Sequence, residues 1–332
     1  MKDLQPTIEK DFVSSEGFTL ESGAVLSELT QHYAIFGEIN ADKSNVSLVF
    51  HALSGSARIN EWWADFVGDG EALDTRRKAF ICINFLGSCY GSTGANSAEF
   101  ADKKEFPLIT VADIVRAQNL VLEHLGVEKL EAVIGSSVGG MCALQFATMF
   151  PETAENCIAI GACELSAMGL ALNHLQREAL KHEKNVGLAR QIAMISYKSA
   201  ELFDKRFARR PNRNGENPRE KFENRFDIAG YLDYQADIFK NRFDAETFKI
   251  ISKAMDLFEL NDEEIKRIKV KLYLVGISSD WLFPASDVKK FADRCVFNGI
   301  NAKFIEFISP DGHDAFLSDS AQMIKILRDI LI

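Results

Sequence analysis

The stretch that decides the fold of this chain is LEAVIGSSVGGM, residues 130–141. Its first half consists largely of small and β-branched residues, which predicts a buried strand that ends near Gly135. The apolar residues that follow are spaced as in a helix, and Pro151 ends that pattern. The stretch therefore predicts a strand, a tight turn that carries two serines, and a helix.

A strand, a G-x-S-x-G turn and a helix in this order form the nucleophile elbow of α/β-hydrolases. The turn is strained, so the residues two before and two after its central serine must lack a bulky side chain. Only Ser137 meets that condition, with Gly135 on one side and Gly139 on the other. We therefore predict Ser137 as the nucleophile. The alternative is a glycine-rich turn with a solvated serine, and the flanking strand and helix count against it.

Alternating strands and helices on either side of this elbow predict an α/β-hydrolase fold: a mostly parallel sheet with helices on both faces. An antiparallel hairpin is expected at 17–39, ahead of the sheet. Further strands are expected at 46–50, 79–86, 157–160, 270–275 and 302–308, and helices at 111–125, 284–297 and 319–331.

Residues 164–262 interrupt the alternation with a long helical region and no clear strand. We interpret residues 164–262 as a helical lid inserted into the α/β-hydrolase core, which then comprises residues 1–163 and 263–332. The core is thus predicted to be formed by two separate stretches of the chain.

Charge and cysteine content narrow the function classes. The net charge of −10 and the pI of about 5.2 argue against nucleic acid or an anionic membrane as the main partner. The basic stretch 205–225 is interpreted as solvated surface rather than as a phosphate-binding patch. The six cysteines show neither C-x-x-C spacing nor paired histidines, so no zinc site or disulfide scaffold is expected. No apolar signal region or 18-residue apolar run is present, which predicts a cytoplasmic protein.

A serine nucleophile requires a base, an acid that orients the base, and donors for the oxyanion. In this fold the acid and then the histidine follow late strands of the sheet. Asp280 follows the strand at 270–275, and His313 follows the strand at 302–308, so we predict these two residues as acid and base. The aspartates that compete with Asp280 are Asp256, Asp287 and Asp311.

The other five histidines are weaker candidates for the base. His51 follows a strand but precedes the serine, and we expect it to shape its loop. The remaining four are expected on hairpin or helix surfaces: His32, His124, His174 and His182. The oxyanion donors are predicted to be the backbone N–H of Val138, directly after the nucleophile, and that of Leu53, in the loop after the early strand.

Several motifs together resemble the homoserine O-acetyltransferase family of α/β-hydrolase-fold acyltransferases. The resemblance covers residues 16–330. The motifs are HALSG (51–55), LGSCYGSTG (86–94), TVADIVRAQ (110–118), GSSVGGM (135–141), YLDYQ (231–235), SDWLFP (279–284) and GHDAFL (312–317).

This resemblance implies acetyl transfer from acetyl-CoA, as co-substrate and without a bound cofactor, to the hydroxyl of L-homoserine through an acyl-serine, on the way to methionine. It also implies a helical lid and a homodimer. Arg190 and Tyr197 would hold the substrate carboxylate, and Asp314 would bind its amine. Arg190 and Tyr197 are seven residues apart, close to two helical turns, so both side chains can face one pocket.

The chain also departs from the family pattern in the elbow. Ser136, Val138 and Cys142 stand where the family usually has glycine, methionine and glutamine. Because of these departures, two alternatives remain open: that the donor carries a succinyl group, or that the acceptor is serine. Two rival functions also remain: an esterase or lactonase that uses the same three residues with water, and a non-catalytic ligand-binding member of the fold. The second rival usually lacks part of the triad, whereas this chain carries all of it.

Overall fold

The computed structural model describes residues 4–100, 105–181 and 185–331. The strands of these residues are β1 (Ile8–Ser14), β2 (Phe18–Thr19), β3 (Val25–Leu26), β4 (Leu29–Phe36), β5 (Val46–Phe50), β6 (Val67–Gly68), β7 (Leu73–Asp74), β8 (Ala79–Ile83), β9 (Leu130–Ser136), β10 (Ala154–Ile160), β11 (Lys271–Ile277) and β12 (Ala302–Phe307). The helices are α1 (Ile59–Trp62), α2 (Val111–His124), α3 (Val138–Met149), α4 (Ala167–Lys181), α5 (Val186–Tyr197), α6 (Ala200–Arg206), α7 (Asp227–Lys240), α8 (Ala245–Asp256), α9 (Asp262–Ile265), α10 (Ala285–Phe297), α11 (Ala315–Ser318) and α12 (Ser320–Leu331).

Eight strands form one central sheet in the order β1-β4-β8-β5-β9-β10-β11-β12. Strand β4 runs antiparallel to both β1 and β8, and all other neighbours are parallel. The predicted fold class is confirmed: the sheet is mostly parallel and its central strands alternate with helices.

Helices cover both faces of the sheet, because each central strand carries apolar residues on both sides. In β5, Val46, Leu48 and Phe50 point into one hydrophobic cluster, and Val49 points into the other. The first cluster contains buried residues of α2, α3 and α10, and the second contains residues of α1, α11 and α12. Because the carboxyl ends of the parallel strands lie at one edge of the sheet, the loops after β5, β9, β11 and β12 converge there.

The prediction of a single hairpin over residues 17–39 is wrong in its extent. The antiparallel pair at the edge of the sheet is β1 with β4, in a register that places Ile8 opposite Ile35, and residues 18–26 form only a small separate hairpin. Strand β1 has no buried residue and carries Glu9, Lys10 and Asp11. Charged residues are typical of edge strands, which therefore give a weak apolar pattern.

Most other predicted elements are present with small shifts at their ends. Strand β8 ends at Ile83 rather than at residue 86, and beyond it the Phe85 N–H donates to Nε2 of His51 rather than to a neighbouring strand. Pro284 is the residue before the first turn of α10 rather than a member of that turn.

The described residues between β10 and β11 form helices and no strand, with one isolated bridge between Pro211 and Phe226. The division into a core and a lid at residues 164–262 remains a prediction. Within the parts of the chain that the structure describes, no helix has both the length and the apolar character needed to cross a membrane.

Candidate active site

Ser137 occupies the turn between β9 and α3 in a strained backbone conformation, with φ of 56° and ψ of −129°. Glycine is required on both sides of Ser137, because any side chain there would clash with neighbouring backbone atoms. A Cβ on Gly135 would lie 1.9 Å from the Gly139 carbonyl oxygen, and one on Gly139 would lie 2.3 Å from the Phe50 carbonyl oxygen. The turn can therefore form only with glycine at both positions.

The two serines of the turn have different surroundings. Ser136 is the last residue of β9 and is fully buried, and its hydroxyl has no hydrogen-bond partner among the described residues. Ser137 is 6% exposed and lines a cavity of about 570 Å³. Only the Ser137 side chain therefore faces the cavity.

Asp280 contacts His313, and of the two only His313 lines this cavity. Asp280 follows β11, and its Oδ2 lies 2.6 Å from Nδ1 of His313. The backbone N–H groups of Leu282 and Phe283 donate to the other carboxylate oxygen, Oδ1, each at 2.9 Å. The carboxylate is thus held in one orientation. Nε2 of His313 has no hydrogen-bond partner among the described residues, and His313 lines the cavity together with Ser137.

The pKa of His313 is raised above its usual value. Burial of the imidazole opposes the positive charge, but the charge and hydrogen bond of Asp280 favour it more strongly, and Asp314 adds to them. Lys198 acts in the opposite direction and lowers the pKa. His313 is therefore placed to accept and hold a proton inside the protein.

The competing aspartates each contact a group outside the cavity. Asp256 pairs with Arg177, Asp287 pairs with Lys290 at 2.8 Å, and Asp311 accepts a hydrogen bond from the Ser318 hydroxyl at 2.6 Å. None of the three lines the cavity.

His51 is a structural residue of the loop after β5. Its Nδ1 lies 2.8 Å from the Ala52 carbonyl oxygen, and its Nε2 accepts a hydrogen bond from the Phe85 N–H at 3.2 Å. This arrangement requires a neutral ring with the proton on Nδ1, because a proton on Nε2 would face the Phe85 N–H. Burial lowers the pKa of His51 to about 4, in agreement with a neutral ring. Of the remaining histidines, His124 and His174 are exposed on helices, and His182 lies outside the described residues.

The two predicted oxyanion donors are the backbone N–H groups of Leu53, which lines the cavity with Ser137, and of Val138, which follows Ser137 in the chain. Val138 is the first residue of α3, so its N–H has no partner within the helix. Within residues 4–100, 105–181 and 185–331, neither N–H donates to another protein group. Both donors are therefore free to bind an oxygen atom of a ligand.

Arg190 and Tyr197 project from α5 into the same cavity. The Arg190 guanidinium lies over two rings, 5.5 Å from the centre of Tyr197 and 4.8 Å from the centre of Phe239. Its Nε is buried, and the guanidinium has no carboxylate partner among the described residues. Burial raises the pKa of Tyr197 to about 12, so its hydroxyl stays protonated at neutral pH.

Asp314 also lines the cavity, but its charge already has a partner. Its Oδ2 lies 3.0 Å from Nζ of Lys198, and the two side chains are 15% and 11% exposed. Sequence reasoning did not identify Lys198, although it is the neighbour of Tyr197.

A second contact that the sequence did not reveal joins the end of α7 to the loop after β5. Arg242 donates to the Ser54 carbonyl oxygen at 2.8 Å and lies 3.2 Å from the Tyr90 hydroxyl, and that hydroxyl donates to the Arg242 carbonyl oxygen at 2.9 Å. Ser54, Tyr90 and Arg242 all line the cavity. Arg242 and Ser54 are 188 positions apart, and no local pattern predicts their pairing.

A group of polar and charged side chains lines another part of the cavity: Glu9 of the edge strand β1, His32 of β4, and Arg58. Arg58 binds both carboxylate oxygens of Glu9 at 2.8 Å, and Glu9 also lies 3.1 Å from Nε2 of His32. His32 therefore lies at the cavity rather than on a plain hairpin surface. Within the described part of the chain, no three His, Cys, Asp or Glu side chains are grouped so as to hold a metal ion.

The sequence of this chain matches a known family and several named relatives. The alpha/beta hydrolase fold family matches residues 48–320. The homoserine O-acetyltransferase of Moorella thermoacetica is 38% identical to this chain, over 96% of this chain and 94% of its own length. The homoserine O-acetyltransferase of Carboxydothermus hydrogenoformans is 34% identical, over 98% of this chain and 95% of its own length.

A solved structure shows the same fold at lower identity. The homoserine O-acetyltransferase of Bacillus anthracis superimposes with a TM-score of 0.88 at 21% identity, over 99% of this chain and 98% of its own. The sequences match over nearly their full length, and the chain carries the serine, histidine and aspartate described above. Together these observations show to which family it is related. The chain belongs to the homoserine O-acetyltransferase family of α/β-hydrolase-fold enzymes.

Proposed function

We propose that this protein transfers an acetyl group from acetyl-CoA to the hydroxyl of L-homoserine through an acyl-enzyme on Ser137. The observation that carries the proposal is the composition of one cavity: it combines Ser137 and His313 with a guanidinium and a carboxylate, those of Arg190 and Asp314. A zwitterionic amino acid needs one charge of each sign to bind it, and a hydroxyl acceptor needs the base.

In the first half-reaction, Nε2 of His313 takes the proton of the Ser137 hydroxyl, and Oγ attacks the thioester carbonyl carbon of acetyl-CoA. The N–H groups of Leu53 and Val138 bind the oxyanion that forms. The C–S bond then breaks, and the CoA sulfur leaves with the proton from His313. Asp280 holds the imidazole in the required tautomer and stabilises its charged form throughout.

In the second half-reaction, His313 takes the proton of the homoserine hydroxyl, and the hydroxyl oxygen attacks the acetyl carbon on Ser137. The same N–H groups bind the oxyanion. The bond between Ser137 Oγ and the acetyl carbon breaks, and His313 returns its proton to Oγ. The product is O-acetylhomoserine, and the enzyme is restored.

The acceptor is proposed to bind through its charged groups. Arg190 has no carboxylate partner of its own among the described residues, and the rings of Tyr197 and Phe239 hold its guanidinium in place, so it can take the carboxylate of homoserine in a bidentate pair. Asp314 would take the ammonium group. These two contacts would leave the hydroxyl end of homoserine free to approach Ser137.

The test follows CoA release from acetyl-CoA with and without L-homoserine. A transferase releases about one CoA per enzyme without acceptor and turns over only when homoserine is added, with O-acetylhomoserine formed in equal amount. Steady CoA release that homoserine does not accelerate would make the protein a hydrolase and refute the proposal. Succinyl-CoA as donor and L-serine as acceptor, run in parallel, decide between the alternatives.

We also propose that two copies of the chain form a homodimer through the helices between β10 and β11. The support is apolar surface: Leu188 and Ile195 on α5, and Tyr234 and Ile238 on α7, are each more than 40% exposed. Light scattering coupled to gel filtration tests this. Leu188→Glu with Ile195→Glu should give a monomer, and Phe297→Glu, at an equally apolar position on α10, should leave the dimer intact. A wild-type monomer would refute the proposal.

We assign the protein to the cytoplasm, with small-molecule substrates rather than nucleic acid or membrane as partners. All six cysteines are free in the structure, as in proteins of a reducing compartment. The net charge of −10 does not favour binding to polyanions. Cell fractionation with an untagged protein tests the assignment.

A further inference from the structure

The segment that follows α5 is joined to the loop that carries His313. The Asp314 N–H donates to the Tyr197 carbonyl oxygen at 3.1 Å, and the Ser199 hydroxyl donates to the Pro310 carbonyl oxygen. A Cβ on Gly312 would lie 2.6 to 2.7 Å from backbone atoms of residues 197–199, so the two backbones are in direct contact. The helix that presents Arg190 and the loop that presents His313 are therefore fixed to one another.

Lys198 lies at the centre of this junction. The Trp281 indole N–H donates to its carbonyl oxygen at 3.2 Å, and its Nζ lies 3.0 Å from Oδ2 of Asp314. Both side chains of the pair are at most 15% exposed, and each would be left as a largely desolvated charge without the other.

The two members of this ion pair differ in their relation to the cavity. Asp314 lines it, whereas Lys198 is not among its lining residues. Lys198 therefore contacts the carboxylate from the protein side. Oδ1 of Asp314, by contrast, has no hydrogen-bond partner among the described residues, so one oxygen is held and the other remains available.

The same pair belongs to the charges that surround His313. Asp280 faces the ring from the loop after β11, Asp314 and Lys198 lie on the side of α5, and the Tyr197 ring lies 5.8 Å away with Arg190 beyond it. Both carboxylates favour the charged imidazole, and Lys198 opposes it. Lys198 thus limits how far two nearby carboxylates stabilise the protonated base.

We propose that Lys198 is a positioning residue of the acceptor site: it holds Oδ2 of Asp314 and balances its charge, so that Oδ1 is directed into the cavity to receive the ammonium group of an amino-acid acceptor. This inference rests on the proposed function, in which the acceptor is homoserine. Lys198 itself touches neither the acceptor nor the reacting atoms.

The experiment compares Lys198→Met, Lys198→Arg and wild type, with Lys205→Met on exposed α6 as matched control. Loss of the ion pair that holds the Asp314 carboxylate should raise KM for homoserine about 10- to 100-fold in Lys198→Met. Formation of acetyl-Ser137 from acetyl-CoA, measured at a pH above the acid limb, should change less than about threefold. The acid limb of the kcat/KM profile should move to higher pH, because the cation that lowers the pKa of His313 is gone. Lys198→Arg should restore most of the loss, and Lys205→Met should match wild type.

A double-mutant cycle separates positioning from a general effect on folding. If Lys198 acts through Asp314, the variant with both Lys198→Met and Asp314→Asn should be no worse in KM than Asp314→Asn alone. Additive losses, an unchanged KM and pH profile in Lys198→Met, or a lower KM would each overturn the inference. The proposed function is tested separately: if wild type shows no homoserine-dependent CoA release, that proposal fails, whereas activity that depends on Asp314 but not on Lys198 refutes this inference alone.

Discussion

Exchange of Asp280 for asparagine tests how the acid holds the base. In the structure, Oδ1 of Asp280 accepts the N–H groups of Leu282 and Phe283, and Oδ2 faces Nδ1 of His313 at 2.6 Å. In Asp280→Asn, the amide oxygen keeps the two backbone hydrogen bonds, so the NH₂ group takes the place of Oδ2. It can pair with Nδ1 of His313 only if that nitrogen gives up its proton.

The imidazole must then carry its proton on Nε2, where it cannot accept one from Ser137. In serine proteases the same exchange lowers kcat by a factor of about 10⁴. Because the geometry here is held by the same kind of contacts, we expect a loss of about 10³- to 10⁴-fold, or roughly 4–5.5 kcal/mol of transition-state stabilisation. The fold should be retained, since the backbone contacts of Oδ1 survive.

The assay is the initial rate of CoA release at saturating acetyl-CoA and homoserine. Asp311→Asn is the matched control, because Asp311 lies two residues before His313 but bonds to Ser318 instead. We expect the control to stay within about twofold of wild type. A fully active Asp280→Asn, or a loss in Asp311→Asn as large as that in Asp280→Asn, would refute the reasoning.

Four further predictions follow from the structure. Ser137→Ala should lower turnover by several orders of magnitude while Ser136→Ala keeps most activity, and mass spectrometry after mixing with acetyl-CoA should find the label on Ser137 and not on Ser136. Gly139→Ala should destabilise the protein by about 3 kcal/mol or prevent folding in denaturant titrations, because its Cβ would lie 2.3 Å from a backbone oxygen. The pKa of buried His51 is about 4 in the folded state, below its unfolded value, so the free energy of unfolding should fall by roughly 3 kcal/mol as the pH drops from 6.5 to 4. His51→Asn should remove most of that decrease, and an unchanged slope would contradict it. Arg190→Ala should lower kcat/KM for homoserine about 10- to 1000-fold and leave acylation of Ser137 intact, and Arg190→Lys should recover only part; equal loss in both half-reactions, measured by rapid quench, would assign Arg190 a structural role.

The local part of the site could be predicted from the sequence, because short-range sterics decide it. The elbow needs glycine two residues before and after Ser137, and those contacts lie within one turn or against the neighbouring strand β5. Asp280 and His313 could be predicted from their order after late strands, since parallel strands bring the loops at their carboxyl ends to one edge of the sheet. Central strands and helices could be predicted from apolar periodicity.

Tertiary structure alone decided the contacts between distant segments. The charge of Asp314 is paired by Lys198, 116 positions earlier by residue number, and the loop after β5 is held by Arg242, 188 positions from Ser54. The edge strand β1 was not predicted, because its charged residues produce little apolar pattern. Propensity and periodicity report on neighbours along the chain, whereas the pairing of charges depends on which surfaces meet when the helices between β10 and β11 dock on the sheet.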